Sequence, residues 1–200
     1  MIPKFQMSAN IRILIIDNND SFTFNLLQLV EEAGGTSCDV IGSENLDPGV
    51  VSGYDKVLIS PGPGLPSEFP RMCEVIREYS SEKDILGICL GHQAIAVDLG
   101  GSLVNMTQVK HGVTSKLHFK KEDKRLFAGI GEGEVVGLYH SWSVDPSTLP
   151  DCFEVTAVGD EGAILAIRHK TFQLRGVQFH PESFMTTLGK TMIRNWLTSE

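Results

Sequence analysis

The sequence has no long apolar run, no excess of positive charge and few cysteines. No apolar stretch approaches the roughly 20 residues that a membrane-spanning helix needs, and residues 1–10 lack the charged start and apolar core of a secretory signal. The formal net charge is -8 and the lysines and arginines are scattered, so we expect no nucleic-acid partner; the lack of a long apolar run predicts no membrane partner. The four cysteines are widely spaced, which suits a reducing cytoplasm and a working thiol rather than a disulfide framework.

Short apolar runs alternate with amphipathic stretches in the first half of the 200 residues. This alternation predicts an α/β fold, an open and mostly parallel flavodoxin-like sheet flanked by helices on both faces. We predict a first helix from an N-cap at Ser21 to about Glu32, ended by Gly34 and Gly35. The other predicted elements of this half are strands over Ile11–Ile16, Cys38–Ile41, Lys56–Ile59 and Ile85–Ile88, and a helix over Glu68–Tyr79.

The second half carries additional short strand-like runs with turns between them, which predicts a meandering second layer. A closing helix is predicted over about Leu188–Leu197. We expect a single domain over residues 11–200, behind an N-terminal extension of residues 1–10. The strands predicted here are Ser115–Phe119, Glu134–Tyr139, Phe153–Val158, Ala163–Ile167 and Leu174–Phe179.

A cysteine stands between two glycines where a predicted strand passes into a predicted helix, in the run Gly87-Ile88-Cys89-Leu90-Gly91. Glycines at these positions allow the sharp turn that raises a nucleophile above the edge of a sheet. The positive end of the following helix dipole favours a negatively charged sulfur, so the pattern predicts covalent thiol chemistry at Cys89. Taken alone, the pentapeptide also fits a buried cysteine that acts only as a small apolar residue.

A second strand-like run ends in His180, followed two residues later by Glu182. Side chains two apart in an extended chain point the same way, so Glu182 can accept a hydrogen bond from one ring nitrogen while the other faces a thiol. The sequence thus supplies a nucleophile, a base and an orienting carboxylate. The three residues can meet only if the strands that end in Cys89 and His180 lie close together.

A stiff loop of two prolines and two glycines, Ser60-Pro61-Gly62-Pro63-Gly64, follows another predicted strand. Its backbone N–H groups could approach a ligand closely, because the glycines leave them uncovered. Donors from Gly62 to Gly64, with the N–H of Leu90, would then form an oxyanion hole. A plain tight turn explains the loop equally well when it is taken alone.

Together these segments resemble the class I (triad-type) glutamine amidotransferases, over about Ile13 to Trp196. The specific likeness is to the small subunit, component II, of anthranilate synthase and of aminodeoxychorismate synthase. The segments that carry it are Ile15–Leu26, Ser60–Gly64, Cys89–Gln93, Tyr139–Ser141 and Gly176–Ser183.

The resemblance implies that Cys89 attacks the side-chain amide of L-glutamine and forms a glutamyl thioester, with His180 and Glu182 assisting. Ammonia would pass to a chorismate-binding synthase component I, which must be a separate polypeptide because this chain has no room for it. No cofactor is expected in this chain, and Mg²⁺ only on the partner. The positions that would hold glutamine are Gly62, Pro63, Gly64, Gln93, Ser141 and Trp142.

The chain departs from the common family pattern at positions outside the three reactive residues. Leu138 and Trp142 stand where family members commonly carry arginine and leucine, and Val113 stands where they carry lysine. Tyrosines near the start are replaced by Asn19 and Phe24. These departures bear on partner docking and glutamine binding.

Three other functions fit parts of the pattern. One is a regulatory protein on the same fold, which loss of a reactive residue would have favoured, and another is a γ-glutamyl hydrolase or peptidase with the same three residues. A metal site is the third, since His92 follows Cys89 by three residues, but the sequence offers no second pair of ligands nearby. Segment Asp17–Asn25 lies on the predicted site edge, and we interpret it as a partner-facing rim or as a polar loop with a helix cap.

Overall fold

The computed structural model describes residues 11–199, so the expected N-terminal extension, residues 1–10, lies outside the described residues. The strands within that range are β1 (Arg12–Asp17), β2 (Ser37–Gly42), β3 (Lys56–Ile59), β4 (Asp84–Ile88), β5 (Leu103–Lys116), β6 (His118–Phe119), β7 (Val135–Val144), β8 (Phe153–Val158), β9 (Ile164–His169) and β10 (Leu174–Val177). The α-helices are α1 (Thr23–Ala33), α2 (Pro70–Tyr79), α3 (Leu90–Asp98), α4 (Lys124–Phe127) and α5 (Gly189–Thr198). No helix in this part of the chain is long and apolar enough to cross a membrane.

Eight strands form one sheet in the order β2-β1-β3-β4-β10-β9-β8-β6. Neighbours from β2 through β10 are parallel, and the pairs beyond β10 are antiparallel. The predicted α/β sheet flanked by helices is therefore confirmed as a mixed sheet. Strands β3 and β8 fall on the bounds predicted from the sequence.

Alternate residues of the parallel strands pack into two separate hydrophobic clusters, one on each face. Ile13 and Ile15 of β1 pack with side chains of α1 and α5, while Leu14 and Ile16 pack with side chains of α2 and α3. A strand that is buried on both faces reads as a continuous apolar run, because neither side meets water. This burial explains why β1, β3 and β4 can be found from apolar runs alone, whereas β2, at the edge of the sheet, is only half-buried.

The predicted meandering second layer is wrong for most of the C-terminal strands. The meander of β8, β9 and β10 does not stack on the sheet but extends it, because β10 pairs in parallel with β4 and so occupies the edge that the first half leaves free. Within residues 11–199, only β5 and β7 form a separate two-stranded sheet, with two register shifts along their antiparallel pairing.

Two helices begin later than predicted. Ser21 is not the N-cap of α1: that position is Phe22, which makes no side-chain capping bond, because Asp17 and Asp20 accept the hydrogen bonds of this turn. Helix α2 starts at Pro70 rather than Glu68, since the residue before a proline is kept out of helical geometry, and Phe69 has φ -121° and ψ 63°. Gly34 ends α1 in a left-handed conformation at φ 115°, as predicted.

Candidate active site

Cys89 occupies a sharp turn between β4 and α3, with φ 49° and ψ -96°. The turn needs glycine on both sides: a Cβ on Gly87 would lie 2.5 Å from the Gly91 carbonyl oxygen, and one on Gly91 would lie 2.8 Å from the Ile59 carbonyl oxygen. The carbonyl of Cys89 accepts the N–H of Gln93 at 3.0 Å, which begins the helix at the thiol. Cys89 is thus held at the N-terminus of α3 and is 5% exposed.

His180 follows β10, the strand that lies beside β4. The N–H of Cys89 donates to the Val177 carbonyl at 2.8 Å, which ties the cysteine turn directly to the strand that leads to His180. Nδ1 of His180 lies 2.6 Å from Oε1 of Glu182, and both side chains are buried. The structure therefore brings Cys89, His180 and Glu182 together at the carboxyl edge of the sheet, where α/β folds place ligands.

The charge state of His180 follows from its two neighbours. Burial lowers the pKa of His180, but the Cys89 sulfur and the Glu182 carboxylate outweigh that effect and raise this pKa from 6.5 to about 10. Nδ1 is engaged with Glu182, so Nε2 is the nitrogen available to the sulfur; among residues 11–199 it has no hydrogen-bond partner of good geometry. An imidazolium at neutral pH can donate a proton to a leaving group.

The Ser60–Gly64 loop packs against the cysteine turn through its first glycine. A Cβ on Gly62 would lie 2.6 Å from Cδ2 of Leu90 and 2.9 Å from the Asn18 carbonyl oxygen, so only glycine allows this approach. Asn18 holds the base of the loop, donating from its N–H to Ser60 Oγ at 2.9 Å and from Nδ2 to the Ser60 carbonyl at 3.0 Å. Pro63 and Gly64 are exposed. The loop thus packs against the side chain of Leu90, the residue whose N–H we expect in an oxyanion hole.

Gln93 is buried, and its amide group bonds within the protein. Its Nε2 donates to the Trp142 carbonyl at 2.8 Å and to Oε1 of Gln178 at 3.2 Å. These bonds bring strand β7, with the half-buried Ser141 and Trp142, next to helix α3. The structure therefore clusters Gln93, Ser141 and Trp142 near the thiol, and Gln93 itself supports the Trp142 backbone.

Sequence reasoning missed three residues that surround the reactive groups. Gln178 is buried and its Nε2 donates to Cys89 Sγ at 3.4 Å. The ring centroid of Tyr139 lies 5.0 Å from that of His180, and the ring centroid of Phe22 lies 6.1 Å from that of His180. A signal for Gln178 was present: it is a polar residue inside an apolar run, two positions before His180 and so on the same side of an extended chain.

The other histidines near the site are neutral. Burial lowers the pKa of His92 to about 3, and burial also lowers the pKa of His140, whose Nδ1 donates to the Trp142 carbonyl at 2.8 Å. Within residues 11–199, no group of three histidine, cysteine or acidic residues is arranged to hold a metal ion.

Similar proteins match this sequence along nearly the whole chain. The model of the family "Glutamine amidotransferase class-I" matches residues 14–199. An aminodeoxychorismate/anthranilate synthase component 2 of Bacillus subtilis is 43% identical over 192 residues, covering 92% of this chain and 95% of that protein. An aminodeoxychorismate synthase component 2 of Escherichia coli is 43% identical over 190 residues, covering 92% of this chain and 98% of that protein.

A solved structure of a glutamine amidotransferase from Thermotoga maritima superposes with a TM-score of 0.75 at 19% identity, covering 88% of this chain and 77% of that one. At that identity the superposition bears on the fold alone. The family match over residues 14–199, together with relatives of 43% identity over nine-tenths of the sequence, shows that this chain belongs to the class I glutamine amidotransferases.

Proposed function

We propose that this chain is the glutaminase component of a chorismate-aminating synthase. It hydrolyses L-glutamine to glutamate and delivers ammonia to a separate synthase component I. The observation that carries the proposal is the buried pairing of His180 with Glu182 beside Cys89, which holds a general acid next to a nucleophile. Anthranilate synthase is the first assignment to test and aminodeoxychorismate synthase the alternative, because the Bacillus subtilis relative is named for both.

In the proposed reaction, the sulfur of Cys89 attacks the side-chain carbonyl carbon of glutamine. The Leu90 N–H and the Gly62–Gly64 backbone stabilise the negative charge on the carbonyl oxygen. The carbon–nitrogen bond then breaks as His180 gives its proton to the nitrogen, and ammonia leaves. Water then attacks the thioester carbon while His180 takes a proton from that water. The carbon–sulfur bond breaks, glutamate leaves, and the Cys89 thiolate and the His180 imidazolium are restored. The segment Ser141–Trp142 and Gln93 are proposed to hold the rest of the glutamine.

This glutaminase chemistry needs no cofactor in this chain, because the thiol itself is the nucleophile; we propose Mg²⁺ only on the partner. We also propose that the chain works in the cytoplasm, where a reactive thiol stays reduced. Its cysteines, Cys38, Cys73, Cys89 and Cys152, are all unpaired.

The partner is proposed to cover the mouth of the site. Ammonia is a nucleophile only as the free base, so release into neutral water would convert most of it to ammonium. Apolar side chains at the mouth favour a protein contact there: Phe24 is 68% exposed at the start of α1, and Phe184 is 91% exposed two residues after Glu182. The rim segment Asp17–Asn25, which includes Phe24, is proposed as part of this contact.

The test is glutamate release by the purified chain, alone and with each candidate component I in the presence of chorismate. We expect strong stimulation by one component I, with its aromatic product formed. Cys89→Ala should abolish glutamate release without loss of the folded circular dichroism spectrum. His180→Ala should reduce glutamate release nearly as much. Absence of glutamine hydrolysis in every pairing would overturn the proposal in favour of a regulatory protein or a peptidase.

A further inference from the structure

Two glutamine side chains form a buried chain of hydrogen bonds that ends on the nucleophile. The Nε2 of Gln93 lies between the Trp142 carbonyl, at 2.8 Å, and Oε1 of Gln178, at 3.2 Å. The Nε2 of Gln178 lies 3.4 Å from Cys89 Sγ. Gln178 is fully buried, and its backbone N–H donates to the Leu165 carbonyl at 2.9 Å. The side chain therefore has a fixed place between strand β10 and the cysteine turn.

The direction of each hydrogen bond is set by Trp142. A backbone carbonyl can only accept, so the Gln93 atom that faces it must be the NH₂ group. The second hydrogen of that NH₂ group points to Gln178, so the atom of Gln178 that receives it must be the carbonyl oxygen. The remaining NH₂ group of Gln178 then faces Cys89, and its bond to the sulfur is a donated one.

We propose that Gln178 is a positioning residue for the nucleophile: it donates a hydrogen bond that stabilises the Cys89 thiolate and fixes the sulfur between the Gln178 amide and His180. Gln93 orients that amide, which links the nucleophile to the Trp142 segment proposed to hold glutamine. A hydrogen bond to a buried anion is stronger than one to a neutral thiol, so the bond favours the thiolate. This inference rests on the proposed function only in taking Cys89 as the nucleophile.

The test follows alkylation of Cys89 by iodoacetamide from pH 5 to 10, with the Cys89 peptide quantified by mass spectrometry. Iodoacetamide needs neither glutamine nor a partner, so the result is independent of whether the chain is a glutaminase. Burial raises the pKa of Cys38 to about 11 and that of Cys73 to about 12, so these thiols react slowly at neutral pH. Cys89→Ala gives the background.

Gln178→Met has a similar volume but no donor, and we expect it to move the pH curve of Cys89 alkylation upward by about one unit, which lowers the rate about tenfold on the acid side of the curve. Gln178→Asn keeps an amide that is one methylene too short and should give the same displacement. Gln93→Met should give a smaller displacement in the same direction. In the two Gln178 variants, kcat for glutamine should fall more than KM rises.

The matched control is Gln28→Met, because Gln28 is exposed on α1 and its amide bonds to Glu32 on the same helix, away from Cys89. Its alkylation curve should superimpose on that of the unaltered chain. Curves for Gln178→Met and Gln178→Asn that also superimpose would overturn the proposal, and so would a curve for Gln28→Met that moves equally far.

Discussion

At Cys89 the backbone adopts a conformation that residues other than glycine rarely take, and such a conformation costs of order 1–3 kcal/mol. The hydrogen bonds from Cys89 N–H to Val177 and from Gln93 N–H to Cys89 hold the turn against that cost. The strain places the thiol at the start of α3 and beside β10. Cys89 is thus hydrogen-bonded both to the helix that begins at it and to the strand that leads to His180.

The raised pKa of His180 predicts the alkaline limit of activity. Because the folded-state pKa is about 10, the imidazolium persists through neutral pH and is lost only as the pH rises through that value. We expect kcat/KM for glutamine hydrolysis to fall on the alkaline side near pH 10. Glu182→Gln removes a negative charge that favours the imidazolium, so its alkaline limb should lie at lower pH. The measurement is kcat/KM from pH 6 to 11.

By the same linkage, His180 contributes stability that is complete below its unfolded pKa near 6.5 and is lost as the pH rises through about 10. Circular dichroism at each pH separates loss of activity from unfolding. An alkaline limb that stays in place in the Glu182→Gln variant would contradict the assigned charge state.

The sequence was sufficient to place Cys89, His180 and Glu182 at strand ends, since each stands at a fixed offset from an apolar run. It was not sufficient to assign the hydrogen bond from Gln178 to the sulfur. That bond depends on β10 lying beside β4, a pairing between segments far apart in the chain, and on the orientation of an amide set by Trp142.

At the scale of elements, the approach of α3 to β4 depends on glycine. We expect Gly87→Ala to destabilise the protein by about 1–3 kcal/mol and to abolish glutamate release, because the new Cβ would meet the backbone of Gly91 and His92. Neither backbone can move without displacing the thiol. The measurement is urea denaturation together with glutamate release.

Gly131→Ala is the matched control for Gly87→Ala. A Cβ on Gly131 would meet only Glu134 Oε1, at 4.0 Å, so stability and activity should be unchanged. Equal behaviour of the two variants would show that the close packing at Gly87 does not matter.

Element placement was harder to predict than element identity. The parallel strands β1, β3 and β4 follow from apolar runs because both faces are buried. The destination of β8, β9 and β10 was predicted wrongly, because an antiparallel meander looks the same in sequence whether it stacks on a sheet or extends it. Whether the meander extends the sheet depends on the free edge of β4, and no local sequence pattern indicates that edge.

For the whole molecule, the exposed side chains of Phe24 and Phe184 predict where the proposed component I binds. We expect Phe24→Ser with Phe184→Ser to raise the concentration of component I needed for half-maximal stimulation of glutamate release at least tenfold. The reason is that each side chain would lose apolar area buried at the contact, worth about 1.5–3 kcal/mol. A titration with component I at fixed glutamine and chorismate measures this concentration.

Val50→Ser is the control for the docking variant. Val50 is 37% exposed in the 3₁₀ turn Pro48–Gly53, which precedes the amino end of β3, away from the site edge. Its titration should match that of the unaltered chain, and release without component I should be unchanged in all variants. A docking variant that titrates normally would place the contact elsewhere.

The position of β10 between β4 and β9 also has a consequence for the order in which the protein becomes active during synthesis. The ribosome makes Cys89 long before it makes His180, and a parallel neighbour of β4 is available only after residues 174–177 have emerged. A nascent chain that already displays the thiol therefore has no base, no carboxylate and no Gln178 beside it. The unfinished protein therefore lacks the groups that hydrolyse glutamine, and activity requires that β10 has been made and has paired with β4.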